Sequence, residues 1–442
     1  GGDWPMSGPI LDLAAETRPP EQQAALRLQG IQQVLGWMAE RSPMYRERLQ
    51  GAGVHAADIR SMADFAARVP LTNKDDLRAA MDRHASALPH LCVPRDDIVL
   101  SGPSAGTSGR QTYQAFDAQD LDMNAKIIAR AYWSSGLRPG DVLHLLVTPF
   151  TPAADIFRLA AQRIGVQWII RDDHDASHVP RYVEVARSLK PTFLQAGVAT
   201  LRSMAQHAAA GAPLPYRRAI LMGASLGSEA RQEFKRTLGI EVSTLSGQGS
   251  DFNLFSTECQ ACEGEHWHGD DQTLVELIDP TTGTPARADE VGEMVITDFY
   301  RRATPHLRWR TEDMVRLHAG TCSCGRTSRR FTLLDRLANR VPVGNSAVYP
   351  YQVEAALSRG TDGRNLEFAL VRRPRALQSV EVRLLRPVNL TDDDSAAVAA
   401  RIARQLALDL ELPTRVTFHD DLPRVGYKTL RVIDEESDET HT

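Results

Sequence analysis

DVLHLLVTPFTPAADIFRLAAQRIGVQWII, residues Asp141–Ile170, is the stretch on which the fold turns. Its opening run, DVLHLLV, is apolar over the length of a buried strand. ADIFRLAAQRIG then spaces its apolar residues three and four apart, as one face of a helix requires. VQWII returns to a short β-branched run that reads as a second strand. The alternation continues with the helix VPRYVEVARSLK, the strand PTFLQAG, the helix TLRSMAQHAAA and the strand YRRAILMGA. Strands separated by helices imply an α/β fold, a parallel sheet with helices on its faces. Ligands of such sheets gather outside the carboxyl ends of the strands. PTFLQAG and RRAILMGAS both end in small residues, which suits a pocket rim at that edge.

Upstream, EQQAALRLQGIQQVLGWMAERSPMYRERL repeats apolar residues at helical spacing, so the first hundred or so residues are predicted mainly helical. TNKDDLRAAM predicts a further helix with Thr72 as its cap. From about Thr273, TLVELIDPTTGTP and GEMVITDFYR read as strands around a Pro-Thr-Thr-Gly turn. Beyond Arg336, QVEAALSRG, LEFALVRR, SVEVRLLRP and the helix DDDSAAVAARIARQLALDLEL predict a small separate α+β domain. The expected organisation is a large domain over 1–335 and a small one over 336–442. The 442 residues are 42% apolar and 24% charged, the balance of a globular chain with a sizeable core. A net charge of −5 and the lack of any Lys/Arg block argue against a nucleic-acid partner. No run of 18 apolar residues spans a membrane, and the N-terminus has no apolar h-region, so a cytoplasmic protein is expected.

CQACEGEHWH supplies Cys259, Cys262, His266 and His268, and CSCG supplies Cys322 and Cys324. Thiolates and imidazoles at short spacing in two clusters are what a closed tetrahedral zinc site requires. More candidates than four positions points to a filled, structural site rather than a catalytic one. The predicted ligands are Cys259, His266, Cys322 and Cys324, with Cys262 the alternative to His266. Free buried thiols are the competing reading. A reactive thiol is disfavoured, because no helix N-terminus is marked there to lower its pKa.

SAGTSGR, Ser104 to Arg110, combines two glycines, three hydroxyls and one cation. It lacks the Gly-x4-Gly-Lys-Ser/Thr pattern of a P-loop. Its parts suit a polyphosphate, and equally a solvated turn. The loop resembles the Ser-Ser-Gly-Thr-Thr-Gly-Lys loop of the adenylate-forming ligases, and in particular of the phenylacetate–CoA ligase family. Further motifs follow in that family's order. YRERLQGAGVHAADIRSMADFAARVPLTNKDDLR is similar to its N-terminal signature, and PHLRWRTEDMVRL resembles its Pro-Leu-Ile-Arg-Tyr-Arg-Thr-Gly-Asp. CSCGRTSRR matches its Cys-x-Cys-Gly-Arg-Thr, VYPYQVEAAL the start of its C-terminal domain, and YKTLRVID its lysine motif. The resemblance runs from about Tyr45 to Asp434.

The resemblance implies a large N-terminal adenylate-forming domain of α/β sheets and a small mobile α+β C-terminal domain. It implies a two-step reaction: a carboxylate attacks the α-phosphorus of ATP, releasing pyrophosphate, and a nucleophile then displaces AMP from the acyl-adenylate. ATP and Mg2+ are the implied cofactors, beside the structural Zn2+ read from the cysteine and histidine clusters, with CoA as the usual acceptor. By position, Ser104, Gly106, Thr107, Ser108, Gly109 and Arg110 would hold phosphates, and Asp313 the ribose hydroxyls. Arg336 would stand at the domain hinge, and Lys428 would reach the α-phosphate and carboxylate oxygens. Phe150, Ala196-Gly197 and Gly223-Ala224-Ser225 sit where the family lines its aryl-acid pocket.

Three departures matter. Arg110 replaces the loop's lysine, which keeps charge but changes geometry. The aromatic-Gly-x-Ser/Thr-Glu segment reads LSGQGSDF, in which Gly247 is the glycine and Asp251, about one residue out of register, is the nearest acid for magnesium. The hinge Gly-Arg-x-Asp-Asp-Met-x-x-x-Arg-Gly reads DRLANRVPVGN: Arg336 is kept, the aspartates become Ala338 and Asn339, and the Arg-Gly pair becomes Gly344-Asn345. The expected function is therefore activation of an aromatic carboxylic acid, of an aminobenzoate or hydroxybenzoate kind used in secondary metabolism. The acyl group would pass to CoA or, given the altered hinge, to an amine, a hydroxyl or a carrier thiol. The alternatives are an ordinary aryl-CoA ligase and an inactive zinc-bearing nucleotide-binding module. Family precedent adds a homodimer.

Overall fold

The computed structural model describes residues 8–104, 110–147, 152–172, 176–208, 211, 213–222, 226, 228–247, 255–286, 290–360, 366–387, 390–425 and 428–435. The chain divides into two compact units, Gly1–Leu333 and Leu334–Thr442.

In the first unit a single helical turn, Leu13–Glu16, is followed by the helices Pro20–Arg41, Pro43–Gly51, Met62–Arg68 and Lys74–Arg83. Each begins where the sequence offers a start signal. Pro20 and Pro43 occupy first-turn positions, and the Ser42 and Ser61 hydroxyls accept the N–H groups of Tyr45 and Asp64. Thr72, predicted as a cap, is not one. Asn73 and Asp76 form a reciprocal capping box instead, at 2.9 and 3.0 Å. The buried Thr72 pairs its backbone with the carbonyl of Arg308 and the N–H of Arg310, at 2.9 and 2.8 Å, so it is tied to a strand rather than to the helix. Ile31, Leu35, Met38, Phe65 and Leu77 from these helices share one core with Trp267, Met294, Ile296 and Trp309. Gly30 allows the close approach, since a Cβ there would stand 2.5 Å from the Phe299 ring.

β1 (Leu100–Pro103) and β2 (Tyr113–Phe116) form an antiparallel hairpin that brackets the SAGTSGR loop, with Pro103 opposite Tyr113. The main sheet then begins. β3 (Val142–Leu146), β4 (Gln167–Asp172), β5 (Phe193–Gly197), β6 (Arg218–Met222) and β7 (Glu241–Gly247) pair in parallel in the order β4-β3-β5-β6-β7. The helices Pro152–Arg163, Val179–Leu189, Val198–Ala208 and Ser228–Leu238 connect them. This is the α/β arrangement read from the alternation, and its order reverses between β3 and β5. Such a reversal leaves a crevice at the carboxyl ends of the two strands.

The sheet does not stop there. β8 (Phe255–Glu258), β9 (Glu265–Trp267), β10 (Thr273–Ile278), β11 (Val291–Asp298), β12 (Trp309–His318) and β13 (Arg330–Arg336) extend it to eleven strands, ordered β10-β11-β12-β13-β9-β8-β7-β6-β5-β3-β4. β10 and β11 are the hairpin pair foreseen around Pro-Thr-Thr-Gly. Asp279 closes that turn by accepting the N–H groups of Thr281 and Thr282 at 2.8 Å. Its continuity with the parallel half, through β8, β9 and β13, was not foreseen.

In the second unit the hairpin β14 (Val341–Val343) and β15 (Ser346–Val348) precedes β16 (Phe368–Arg372), β17 (Val380–Leu385) and β18 (Thr414–His419). A short pair, β19 (Arg424–Val425) and β20 (Lys428–Thr429), leads to β21 (Val432–Asp434). The four-stranded sheet β18-β17-β16-β21 and the helices Pro350–Arg359 and Asp392–Leu410 enclose Val353, Leu370, Val382, Ile402 and Leu406. Among the described residues no helix is long and apolar enough to cross a membrane.

Candidate functional site

Four of the predicted metal ligands converge. Cys259 follows β8, His266 is the middle residue of β9, and Cys322 and Cys324 lie between β12 and β13. β9 and β13 pair with His266 opposite Arg330, which carries the second loop over the first. One donor atom from each of the four lies within 4.8 Å of the others. The Cys259 and Cys322 sulfurs are 3.6 Å apart, and Cys324 Sγ is 3.4 Å from His266 Nε2. His266 Nδ1 faces Ser328 Oγ at 3.0 Å, which fixes the ring so that Nε2 points into the cluster. The Cys259 hydrogen bond, with that of His266, holds the Cys324 thiol far below its ordinary range, and Cys259 is raised in turn. Gly264, at φ +94°, permits the tight return between the loops, because a Cβ there would meet the His318 ring at 2.8 Å. Cys262 stands apart: its φ is +53° and its sulfur lies 3.9 Å from the Val242 carbonyl. His268 stands apart too, beside Thr257 Oγ1 at 3.0 Å, and burial pushes its pKa down to about 4.

At the carboxyl edge of the parallel strands, Ala196 and Gly197 end β5 opposite Leu221 and Met222 of β6. The buried Gln195 beside them accepts the Tyr132 hydroxyl at 2.7 Å and points its amide at Met222 Sδ, 3.4 Å away. Gly247 ends β7 opposite Phe255. Phe150, Gly223, Ala224, Ser225 and Asp251 lie outside the described residues, as do Gly106, Thr107, Ser108 and Gly109 of the loop.

Asp313 is 2% exposed on β12, at an irregular point of the strand. The register against β11 shifts between Glu293 and Val295, and Glu312 takes φ +61°, a region unfavourable to any residue with a Cβ. The bulge is held from several sides. Glu312 N–H donates to Glu293 Oε1 at 3.2 Å, Arg310 Nε bonds both Glu293 oxygens at 3.2 and 3.0 Å, and Thr311 Oγ1 donates to the Met294 carbonyl at 2.8 Å. Glu312 occupies the place of the glycine in the family's Thr-Gly-Asp, and its φ gives the physical reason for a glycine there. Local strain of this kind re-aims the next side chain and clusters at functional sites.

Ser104 is buried at the foot of the loop with its hydroxyl 2.8 Å from Thr112 Oγ1, whereas Arg110 is exposed and paired with Asp82. In the second unit Arg336 precedes the turn Leu337–Asn339, and the backbone of Lys428 pairs with Val425. Sequence reading missed Asp335. Its carboxylate accepts Arg336 N–H at 2.9 Å, Asn339 Nδ2 at 2.6 Å and Tyr351 N–H at 3.2 Å, binding the turn Leu337–Asn339 to the helix that follows. It also missed Glu265, buried on β9 and accepting Ser246 Oγ at 2.9 Å and Ser256 Oγ at 2.7 Å. Burial pushes the Glu265 carboxyl up to about 7 against the pull of these hydroxyls. Neither acid carries a motif, and a lone acid in a polar segment reads as solvated.

No family model matches the chain. It is 28% identical over 455 residues to the phenylacetate–coenzyme A ligase of Thermus thermophilus, covering 95% of this chain and 98% of that protein. To the enzyme of the same name from Escherichia coli it is 26% identical over 440 residues, covering 95% and 96%. Its fold superposes on the crystal structure of a 2-hydroxyisobutyryl-CoA ligase in the postadenylation state with a TM-score of 0.84, at 22% identity, over 98% of this chain and 93% of the other. These matches run nearly the length of both sequences, and the chain is similar throughout to the phenylacetate–CoA ligase-like branch of the adenylate-forming superfamily, whose fold it shares.

Proposed function

We propose that the chain activates an aromatic carboxylic acid with ATP, releasing pyrophosphate, and passes the acyl group from the acyl-adenylate to a nucleophile with release of AMP. The observation that carries this reading is the end-to-end match with ligases whose names join phenylacetate, a carboxylic acid bearing an aromatic ring, to coenzyme A. In it Ser104 to Arg110 contact the phosphates, and Asp313 accepts the two ribose hydroxyls, which one carboxylate can do. Lys428 and Arg336 bring positive charge to oxygens where charge develops during attack. The small residues Ala196 and Gly197 at the reversal of strand order leave room for a flat ring, with Met222 beside them. Leu334–Thr442 is read as the small domain that delivers the lysine. Magnesium is expected with ATP, but its candidate ligand Asp251 lies outside the described residues and no step is assigned to it.

The acceptor favoured by the relatives is the CoA thiol. A second reading, transfer to an amine, hydroxyl or carrier thiol, draws on the hinge. There Asp335 and Asn339 bond to each other where the family pattern has glycine and aspartate. Cys259, His266, Cys322 and Cys324 are read as ligands of a structural zinc ion. Tetrahedral bonds of about 2.3 Å to sulfur and 2.0 Å to nitrogen would set donors roughly 3.5–3.8 Å apart, close to the 3.6 and 3.4 Å separations here. The ion would clamp the two loops that join β8 to β9 and β12 to β13.

The test is acid-dependent ATP–pyrophosphate exchange with a panel of benzoates, aminobenzoates, hydroxybenzoates and phenylacetates. Product mass with and without CoA follows. Exchange with an aryl acid and a CoA thioester of matching mass are expected. Exchange without a thioester would move the acceptor to the second reading. Folded, zinc-loaded protein that exchanges with none of the acids would refute the assignment.

A further inference from the structure

The foot of the phosphate loop is anchored on both sides by described atoms. Ser104 N–H donates to the Thr112 carbonyl at 2.9 Å, and the two hydroxyls meet at 2.8 Å. On the other side the helix Lys74–Arg83 reaches over. Arg78 Nε donates to the Arg110 carbonyl at 2.9 Å while its Nη1 pairs with Asp75 at 2.8 Å. One turn along the same helix face, Asp82 forms an ion pair with the Arg110 guanidinium. One helix therefore holds the main chain of Arg110 with a cation and its side-chain charge with an anion.

The two contacts differ in character. Arg110 and Asp82 are 55% and 68% exposed, and they line an open cleft of about 400 Å³ with Met81, Gln111 and Tyr113. An ion pair so placed is weak and readily exchanged. A polyphosphate carries more charge than one carboxylate and takes a guanidinium through paired hydrogen bonds. While Asp82 holds Arg110, the cation's field at the loop is largely cancelled.

We propose that Asp82 is a positioning residue that competes with the nucleotide for Arg110 and thereby sets the affinity for ATP. The inference rests on reading Arg110 as a phosphate-binding cation, and adds that its availability is regulated from the helix Lys74–Arg83. A lysine in place of Arg110 would lack the fork that can pass from carboxylate to phosphate one bond at a time.

The experiment uses the full chain, an acid that supports exchange, and Asp82→Asn, Arg110→Gln and the double variant. KM for ATP and kcat are measured in pyrophosphate exchange, and ATP binding by calorimetry without acid. Asp82→Asn should lower KM and Kd for ATP about two- to fivefold, the range that an exposed pair can withhold. It should change kcat less than KM, and lose its effect as salt is raised. Arg110→Gln should raise both constants, and adding Asp82→Asn to it should do nothing further. Asp82→Ala should repeat the result. An unchanged or higher KM in Asp82→Asn overturns the proposal, as does an effect that persists without Arg110, since Asp82 would then act by plain repulsion. Normal ATP constants in Arg110→Gln, with exchange intact, overturn the competition while leaving the enzyme assignment standing. A wild-type chain that neither exchanges nor binds ATP removes both.

Discussion

Asp298 stands at the end of β11 with no solvent exposure, and replacing it by Asn should change the pH dependence of stability in a calculable way. Its Oδ2 accepts the backbone N–H of His306 at 3.3 Å and lies 3.0 Å from His306 Nδ1, while Oδ1 has no hydrogen-bond partner. His306 packs edge-on against Trp309, and the buried His90 ring lies beyond it at 6.4 Å. Burial pushes the Asp298 carboxyl up to about 7, against the opposing pull of Arg301 and of the His306 N–H. The unfolded chain titrates it near 3.8, so the fold prefers the protonated form. The stability this preference contributes is therefore full at low pH and is lost as pH rises through 7. Above that pH, ionised Asp298 costs up to about 4 kcal/mol relative to a group with no preference, at 1.36 kcal/mol per pH unit. Asn keeps the shape and cannot ionise. The stability of Asp298→Asn relative to wild type should accordingly be about 3 kcal/mol more favourable at pH 8 than at pH 5. Paired calorimetric melts of both chains at the two pH values measure this. Titrating groups away from the Asp298–His306 pair are common to both chains and cancel to first order. A gap between the chains that is the same at pH 5 and pH 8 would refute the reasoning.

Purified protein should carry one equivalent of zinc by elemental analysis, and a chelator should lower its melting temperature. Cys322→Ser should lose the metal and Cys262→Ser should keep it; the reverse pattern would put the site elsewhere. Glu312→Gly should stabilise the chain by about 0.5–1 kcal/mol, because relief of a left-handed residue outweighs glycine's entropic cost in the unfolded chain. Loss of stability in that variant would mean that the Glu312 side chain matters more than its backbone.

The parallel half of the sheet was legible because β3, β5 and β6 are short, mainly apolar runs, each with one polar or charged residue, set between amphipathic helices, a pattern with little competition. β8 and β9 were not, and the reason is physical. Ser256, Thr257, Glu258, Glu265 and His266 are all buried there, so the segment satisfies its interior with hydrogen bonds and has no apolar period to read. The same blindness hid Asp298 at the end of β11 and His306, a polar residue where the family motif has leucine after the proline. Spacing alone left His266 and Cys262 as competitors for one ligand position. What separates them is the backbone: β9 carries His266 opposite Arg330 beside the second loop, while the left-handed turn at Cys262 points its sulfur toward Val242.

The two halves of the large sheet divide the work in a way that explains where the sequence departs from its relatives. The parallel half supplies a rim of small residues at the carboxyl ends, Ala196 and Gly197 of β5. The antiparallel half supplies position instead: β12 presents Asp313 at a bulge fixed by Glu293, Arg310 and Thr311, and the cysteine–histidine loops tie β8 and β9 to β12 and β13. Because three partners hold that bulge, the chain tolerates Glu312 at φ +61° where a glycine would be cheaper. The turn Leu337–Asn339 shows the same logic. Where Ala338 and Asn339 replace two aspartates, Asp335 provides a carboxylate four residues earlier and Asn339 bonds it directly. The local turn is thus kept by a different pair of residues, and its charge is moved from inside the turn to its entrance.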